Sequence, residues 1–116
     1  MTVLPPIPFP GPASGPGAAV TAFHRSELCA ILALYGRMVA AGEWRDYGIS
    51  HLRDAAVFSI FRRTAETPLY RIEKRPALRL RQGQYAAIGA EGQVLRRGHD
   101  LGQVLRAIAP RPRVVE

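Results

Sequence analysis

The sequence is most informative at first through what it has little of. It contains one cysteine, Cys29, in 116 residues. No internal disulfide can form, and a lone thiol suits a reducing compartment. No apolar run approaches the ~20 residues that a spanning helix needs, which excludes membrane insertion and points to a soluble, cytoplasmic protein. The glycine-rich and nucleophile patterns GxxxxGK[ST], GxGxxG and GxSxG are absent, so nothing marks a phosphate cradle or a serine nucleophile. The three histidines, His24, His51 and His99, stand 27 and 48 residues apart. With no HxxxH, CxxC or HExxH spacing, no metal site is expected, and neither a cofactor nor a catalytic group.

Lysine is scarce too. Lys74 is the single lysine among sixteen basic residues, set against nine acidic ones for a net charge of +7. Arginine grips carboxylate or phosphate with two parallel hydrogen bonds, which a lysine cannot do. A GC-rich coding bias equally explains arginine over lysine, but it does not explain the sign of the net charge. That sign favours an anionic partner.

What is present divides the chain in three. Residues 1–19 hold six of the ten prolines and no charged side chain. Such a segment cannot sustain helix or ladder hydrogen bonds, so an extended, disordered arm is expected. It is not expected to be a signal peptide, because a basic start is lacking and prolines interrupt the apolar stretch. Residues 20–109 form a single domain, and 110–116 form a flexible tail.

The domain reads as α+β. Leu28, Ile31, Leu32, Tyr35, Met38 and Val39 follow helical spacing, predicting a helix over 27–41 with Ser26 as N-cap and Gly42 just past its end. Gly36 inside it suggests a close-packed neighbour. The preceding VTAFHR reads as a short strand. From Trp44 the period changes to that of an antiparallel meander of four to five strands. WRDYGISHL and AAVFSIFRR are joined by a tight connection, and LYRIEKR and ALRLRQG follow. QYAAIGAEGQVLRRG is a hairpin turning at AEGQ with Gly92 at positive φ. A C-terminal helix starts at the N-cap Asp100, exposes an apolar face of Leu101, Val104, Leu105 and Ile108, and ends at Pro110. Helices on one face of the sheet complete the architecture.

Several residues invite a chemical reading. Cys29 lies in the first turn of a helix near His24 and Arg25, but a buried structural cysteine accounts for it better. Glu43, Asp46 and Asp54 stand among Arg45, Arg53, Arg62 and Arg63, which would keep them ionised and make them salt-bridge partners rather than acids. The strongest signal is positional. Arg71, Arg75, Arg79 and Arg81 fall at alternate positions through two extended segments, Arg62 and Arg63 close another, and Arg96 and Arg97 end a third. Neighbouring segments would then share a cationic sheet surface, with Tyr70 and Tyr85 available to stack. A solvated outer face interleaved with Glu73 is the plainer alternative. Neither an RNP-type aromatic motif nor a GXXG loop is present.

The segments LYGRMVAAGEWRDYGISHLRDAAVFSIFRR, PLYRIEKRP, RQGQY and LRRGHDLGQVLR resemble an uncharacterised family of short alphaproteobacterial proteins, domain of unknown function 2794. The resemblance runs from about Phe23 to Leu105. It implies a small, single-domain cytoplasmic bacterial protein and carries no activity with it.

These readings converge on a non-enzymatic binding protein that contacts an anionic partner through an arginine-bearing sheet surface. The partner is an acidic protein or ribonucleoprotein assembly, or RNA or DNA. Two alternatives belong to other classes: a small enzyme or ligand sensor with a pocket near His24, Cys29 and His99, and a homodimeric structural protein joined through a sheet edge or the side of the first helix at Leu34.

Overall fold

The computed structural model describes residues 20–63 and 67–109. The expected arm over 1–19, the tail over 110–116 with Pro110, and most of the Thr64–Pro68 turn lie outside them. The order is α1 (Arg25–Ala40), β1 (Asp46–His51), β2 (Ala56–Phe61), β3 (Tyr70–Lys74), β4 (Tyr85–Gly89), β5 (Val94–Gly98) and α2 (Leu101–Leu105). The strands form one antiparallel sheet in the order β1-β2-β3-β4-β5, a simple meander. The α+β class and the meander agree with the periodicity of the sequence.

Strand alternation separates two faces. Ala56, Phe58 and Ile60 of β2, Ile72 of β3, and Tyr85 and Ala87 of β4 point to one side. There they meet Ile31, Leu34 and Met38 of α1 and Leu101, Val104 and Leu105 of α2 in a single core. Trp44 is buried at the joint between α1 and β1. It tilts against Tyr35 at 6.1 Å and meets Tyr70 edge-on at 6.2 Å. Beside it Tyr47 stacks on Phe58 at 4.9 Å. Aromatics therefore seal the corner where helix gives way to sheet.

Local sequence explains the ends. α1 begins two residues earlier than expected, because His24 rather than Ser26 is the N-cap. Its ring accepts from Ser26 N–H, and Glu27 returns a bond from the His24 N–H at 2.6 Å, a capping box in which imidazole replaces the usual hydroxyl. VTAFHR is not a strand. Thr21 instead hooks onto the β1–β2 hairpin, its N–H donating to Leu52 O at 2.7 Å and its hydroxyl to Arg53 O at 2.8 Å. Gly42 (φ 80°) closes α1, and Gly92 (φ 89°) turns the β4–β5 hairpin as expected. Asp100 caps α2 through Gly102 and Gln103 N–H.

ALRLRQG is not extended. Pro76 has no N–H to give a ladder and starts a 3-10 turn over Pro76–Leu78, with Leu78 N–H bonded to Arg75 O and Arg79 N–H to Pro76 O. Gly83 (φ 102°) then redirects the chain into β4. A methyl at Gly83 would stand 2.6 Å from Gly98 Cα, so only glycine lets the loop cross β5 this closely. Gly36 carries no such constraint: nothing lies within 4 Å of where its side chain would be, and the close neighbour expected there is missing.

Candidate functional site

The face of the sheet away from the core carries no helix among the described residues. Register places its side chains in rows. Val57, Glu73, Ala86 and Arg97 lie across β2, β3, β4 and β5, and Ser59, Arg71 and Ile88 form the adjacent row. Arg71 and Glu73 share this side, with Arg75 bonded to Glu73, whereas Tyr70, Ile72 and Lys74 face the helices; Leu69, expected by alternation to join Arg71, precedes β3 and packs against the core instead. Arg71 and Arg97 flank β4 from strands two spacings apart, about 10 Å. Between them stand Ala86 and Ile88, both buried.

Charge on this face is one-sided. Glu73 is the carboxylate of its centre, and Arg75 already holds it, Nε to Oε1 at 3.1 Å. Arg71 makes no ion pair or hydrogen bond among the described residues. Arg97 is half-buried, and its Nη1 is shielded from solvent without a partner. A buried guanidinium nitrogen with no acceptor costs free energy unless something supplies one. An oxyanion, carboxylate or phosphate, is the kind of group that supplies such an acceptor.

The other residues expected here are dispersed. Arg79 and Arg81 sit in the turn that follows Pro76–Leu78, exposed at the end of the sheet rather than on a strand. Arg96 points to the helix side, where its Nη2 donates to Gln103 Oε1 at 2.8 Å, because adjacent residues of β5 alternate faces. Arg62 closes β2 and lines a groove of about 480 Å³ with Trp44 and Tyr70. Arg63 adjoins it, exposed. Neither tyrosine can stack over the arginines: Tyr70 packs edge-on to Trp44, and Tyr85 is buried beneath α1. Glu43, Asp46 and Asp54 make no ion pair with Arg45, Arg53 or Arg62 among the described residues. Asp46 instead accepts the Tyr47 N–H at 2.8 Å.

A second polar cluster lies on the helix side, and sequence reasoning missed it. Glu27 Oε1 takes Lys74 Nζ at 2.8 Å, and Oε2 takes the Tyr85 hydroxyl in a short hydrogen bond. Lys74 also reaches Ala22 O at 3.0 Å. Burial acts to raise the Glu27 pKa, but the bonds from Lys74, Tyr85 and the His24 N–H outweigh it and hold the carboxyl below its ordinary value. Burial, with the Glu27 carboxylate beside it, pushes the Tyr85 phenol up to about 12. The one available signal was that Lys74 alternates onto the same side as Ile72, where an unpaired charge could not remain.

This cluster borders a shallow groove of about 480 Å³ walled by Ser26, Glu27, Tyr85, His99 and Asp100. His24 and Cys29 do not line it. His24 is engaged in the cap, and Cys29 is exposed, not buried as a structural thiol would be. No group of three or more His, Cys, Asp or Glu among the described residues is arranged to hold a metal. No helix among them is long and apolar enough to cross a membrane.

A family model described as "Protein of unknown function (DUF2794)" matches residues 21–105. The chain belongs to that family. The matched span begins at the Thr21 hook and ends with α2. It includes Glu27, Arg71, Lys74, Tyr85 and Arg97. Searches of curated proteins and of solved structures find no match.

Proposed function

We propose that the protein is a small, non-enzymatic, cytoplasmic binding module whose helix-free sheet face docks an anionic partner. One observation carries the reading: Arg71 and Arg97 share this face from either side of β4, neither in an ion pair among the described residues, while the nearby Glu73 is occupied by Arg75. Arg75, Arg79 and Arg81 extend the positive charge around the end of the sheet. The net charge of +7 steers such an encounter.

An acidic protein surface, as in a larger assembly, fits this face better than RNA or DNA. Base recognition on a sheet needs aromatic platforms beside the cations. Tyr70 and Tyr85 face the helices, and Phe61, half-buried, is the aromatic left on the open side among the described residues. Val57 and Phe61 instead offer the mixed apolar and cationic character of a protein interface.

The test compares the wild-type chain with Arg71→Gln/Arg97→Gln, using poly-glutamate and a single-stranded RNA oligonucleotide as probes across a salt series. Poly-glutamate binding that weakens with salt and falls at least about tenfold in the double variant, with an unchanged circular dichroism spectrum, supports the reading. Stronger binding of RNA with a steep salt slope transfers the site to nucleic acid. Failure to bind either probe at low salt refutes it.

A further inference from the structure

The two edges of the sheet are built differently. An edge strand offers unpaired N–H and C=O groups, and proteins blunt it with charge, bulges or cover. β5 is blunted twice: Arg96 and Arg97 lie within it, and its pairing with β4 shifts register at Ala87/Ile88. β1 runs six residues in unbroken register with β2 and carries no acidic or basic residue between Asp46 and His51.

The free groups of β1 can be assigned. Leu52 N–H bonds Ala55 O at 2.8 Å, which continues the β1–β2 register, so even-numbered residues of β1 bond inward to β2. Tyr47, Ile49 and His51 therefore turn their backbone groups outward. Asp46 occupies the Tyr47 N–H. No described residue bonds those of Ile49 and His51.

The surface beside this edge is apolar. Tyr47 and Ile49 lie on the helix side yet remain 42% and 38% exposed. Tyr35 of α1 meets Tyr47 at 5.0 Å, which shows which flank of the helix overlooks β1. Leu32 and Val39 share that flank and are 38% and 41% exposed. The other flank, with Ala30 and Ala33, faces α2. Strand edge and helix flank thus form one continuous apolar strip.

We propose that this edge pairs antiparallel with the same edge of a second copy of the chain, joining two sheets into one and setting the two α1 helices side by side. The strip is self-complementary. With the two-fold axis at Gly48, Tyr47 stands opposite the partner's Ile49, an aromatic against a β-branched residue, the kind of cross-strand pair that stabilises a sheet. Glycine meets glycine at the closest approach of the two strands, and the space above Gly48 is open. Charge selects the same occupant. Two copies at +7 repel over most of their surfaces and meet at least cost along a strip with few charges. An acidic partner would be drawn to the arginine face instead. The proposal is independent of the binding reading, since the edge is remote from Arg71 and Arg97 in the strand order.

Light scattering on the full chain tests it. The wild-type mass is expected at twice 12.7 kDa. Ile49→Lys puts a charge into the strip, and Ile49→Pro deletes an outward N–H that β2 does not use. Each is expected to halve the mass and leave the circular dichroism spectrum unchanged. Leu32→Glu, on the helix surface, supplies the same readout if a strand variant fails to fold. A wild-type mass of one chain at every concentration overturns the proposal, as does a dimer that survives all folded variants. A dimer that forms only after residues 1–19 are removed also overturns it, because the edge would then belong to the arm.

Discussion

Lys74 Nζ lies 2.8 Å from Glu27 Oε1, tying the end of β3 to the first turn of α1, with both side chains under 15% exposed. Few other polar links connect the sheet to that helix, and the Tyr85 hydroxyl shares the same carboxylate. Lys74→Met would strand a largely buried carboxylate. We expect it to cost about 2–3 kcal/mol by chemical denaturation, more than Glu27→Gln/Lys74→Met together, which removes both charges.

The pH dependence follows from the same group. The folded pKa of Glu27 lies below the ordinary 4.5, so its stabilisation is present above pH 4.5 and is lost as pH falls through the folded value. Glu27→Gln should flatten the acid limb of the stability curve. At the alkaline end, Tyr85 is raised to about 12 from 10.0, so its contribution is present below pH 10 and is lost as pH rises toward 12. Burial, with Asp46 nearby, also raises the Tyr35 phenol, so absorbance near the phenolate band should show late titration of which the component near 12 disappears in Tyr85→Phe.

The glycines should separate cleanly. Gly83→Ala combines a positive φ with a collision against the Gly98 backbone and is expected to lose about 3 kcal/mol or more. Gly36→Ala meets nothing and replaces a poor helix former, so a gain of up to about 1 kcal/mol is expected in thermal or urea unfolding.

Arg97 should show a trade between stability and binding. Its Nη1 is shielded and unpartnered. Arg97→Met keeps the aliphatic bulk and removes the unsatisfied donor, so stability should rise by about 1 kcal/mol. Affinity for poly-glutamate should fall in parallel. A loss of stability would show the guanidinium to be structural.

Cys29 should react with a chromogenic disulfide reagent in the native protein as fast as in the unfolded chain, because it is exposed on α1. Protection that disappears in urea would place it under cover.

Much of this architecture was legible in advance because the relevant signals are local. The 3.6-residue spacing from Leu28 to Val39, the two-residue alternation through Tyr70–Lys74, the glycine of the β4–β5 turn and the Asp100 cap each act within a few residues. Misreadings arose where a neighbour distant in sequence decided the matter. The residues before α1 looked extended, yet Thr21 is held by Leu52 and Arg53 from another part of the chain. ALRLRQG alternates like a strand, but Pro76 and Gly83 bend it into a loop against Gly98. Leu34, offered as an exposed contact, is buried in the core, and Leu32 and Val39 hold the outer flank.

The sequence by itself determined the class of fold and the excess of positive charge, since composition and periodicity need no partner to be read. Tertiary structure alone decided which arginines share a face. Arg71 and Arg97 do, because strand order and register set segments distant in sequence on one side of the sheet. Arg96 is lost to the other face by a one-residue alternation, and Arg79 and Arg81 by a proline. The union of Glu27, Lys74 and Tyr85 likewise spans 58 residues of chain. No local pattern encodes that distance; only folding closes it.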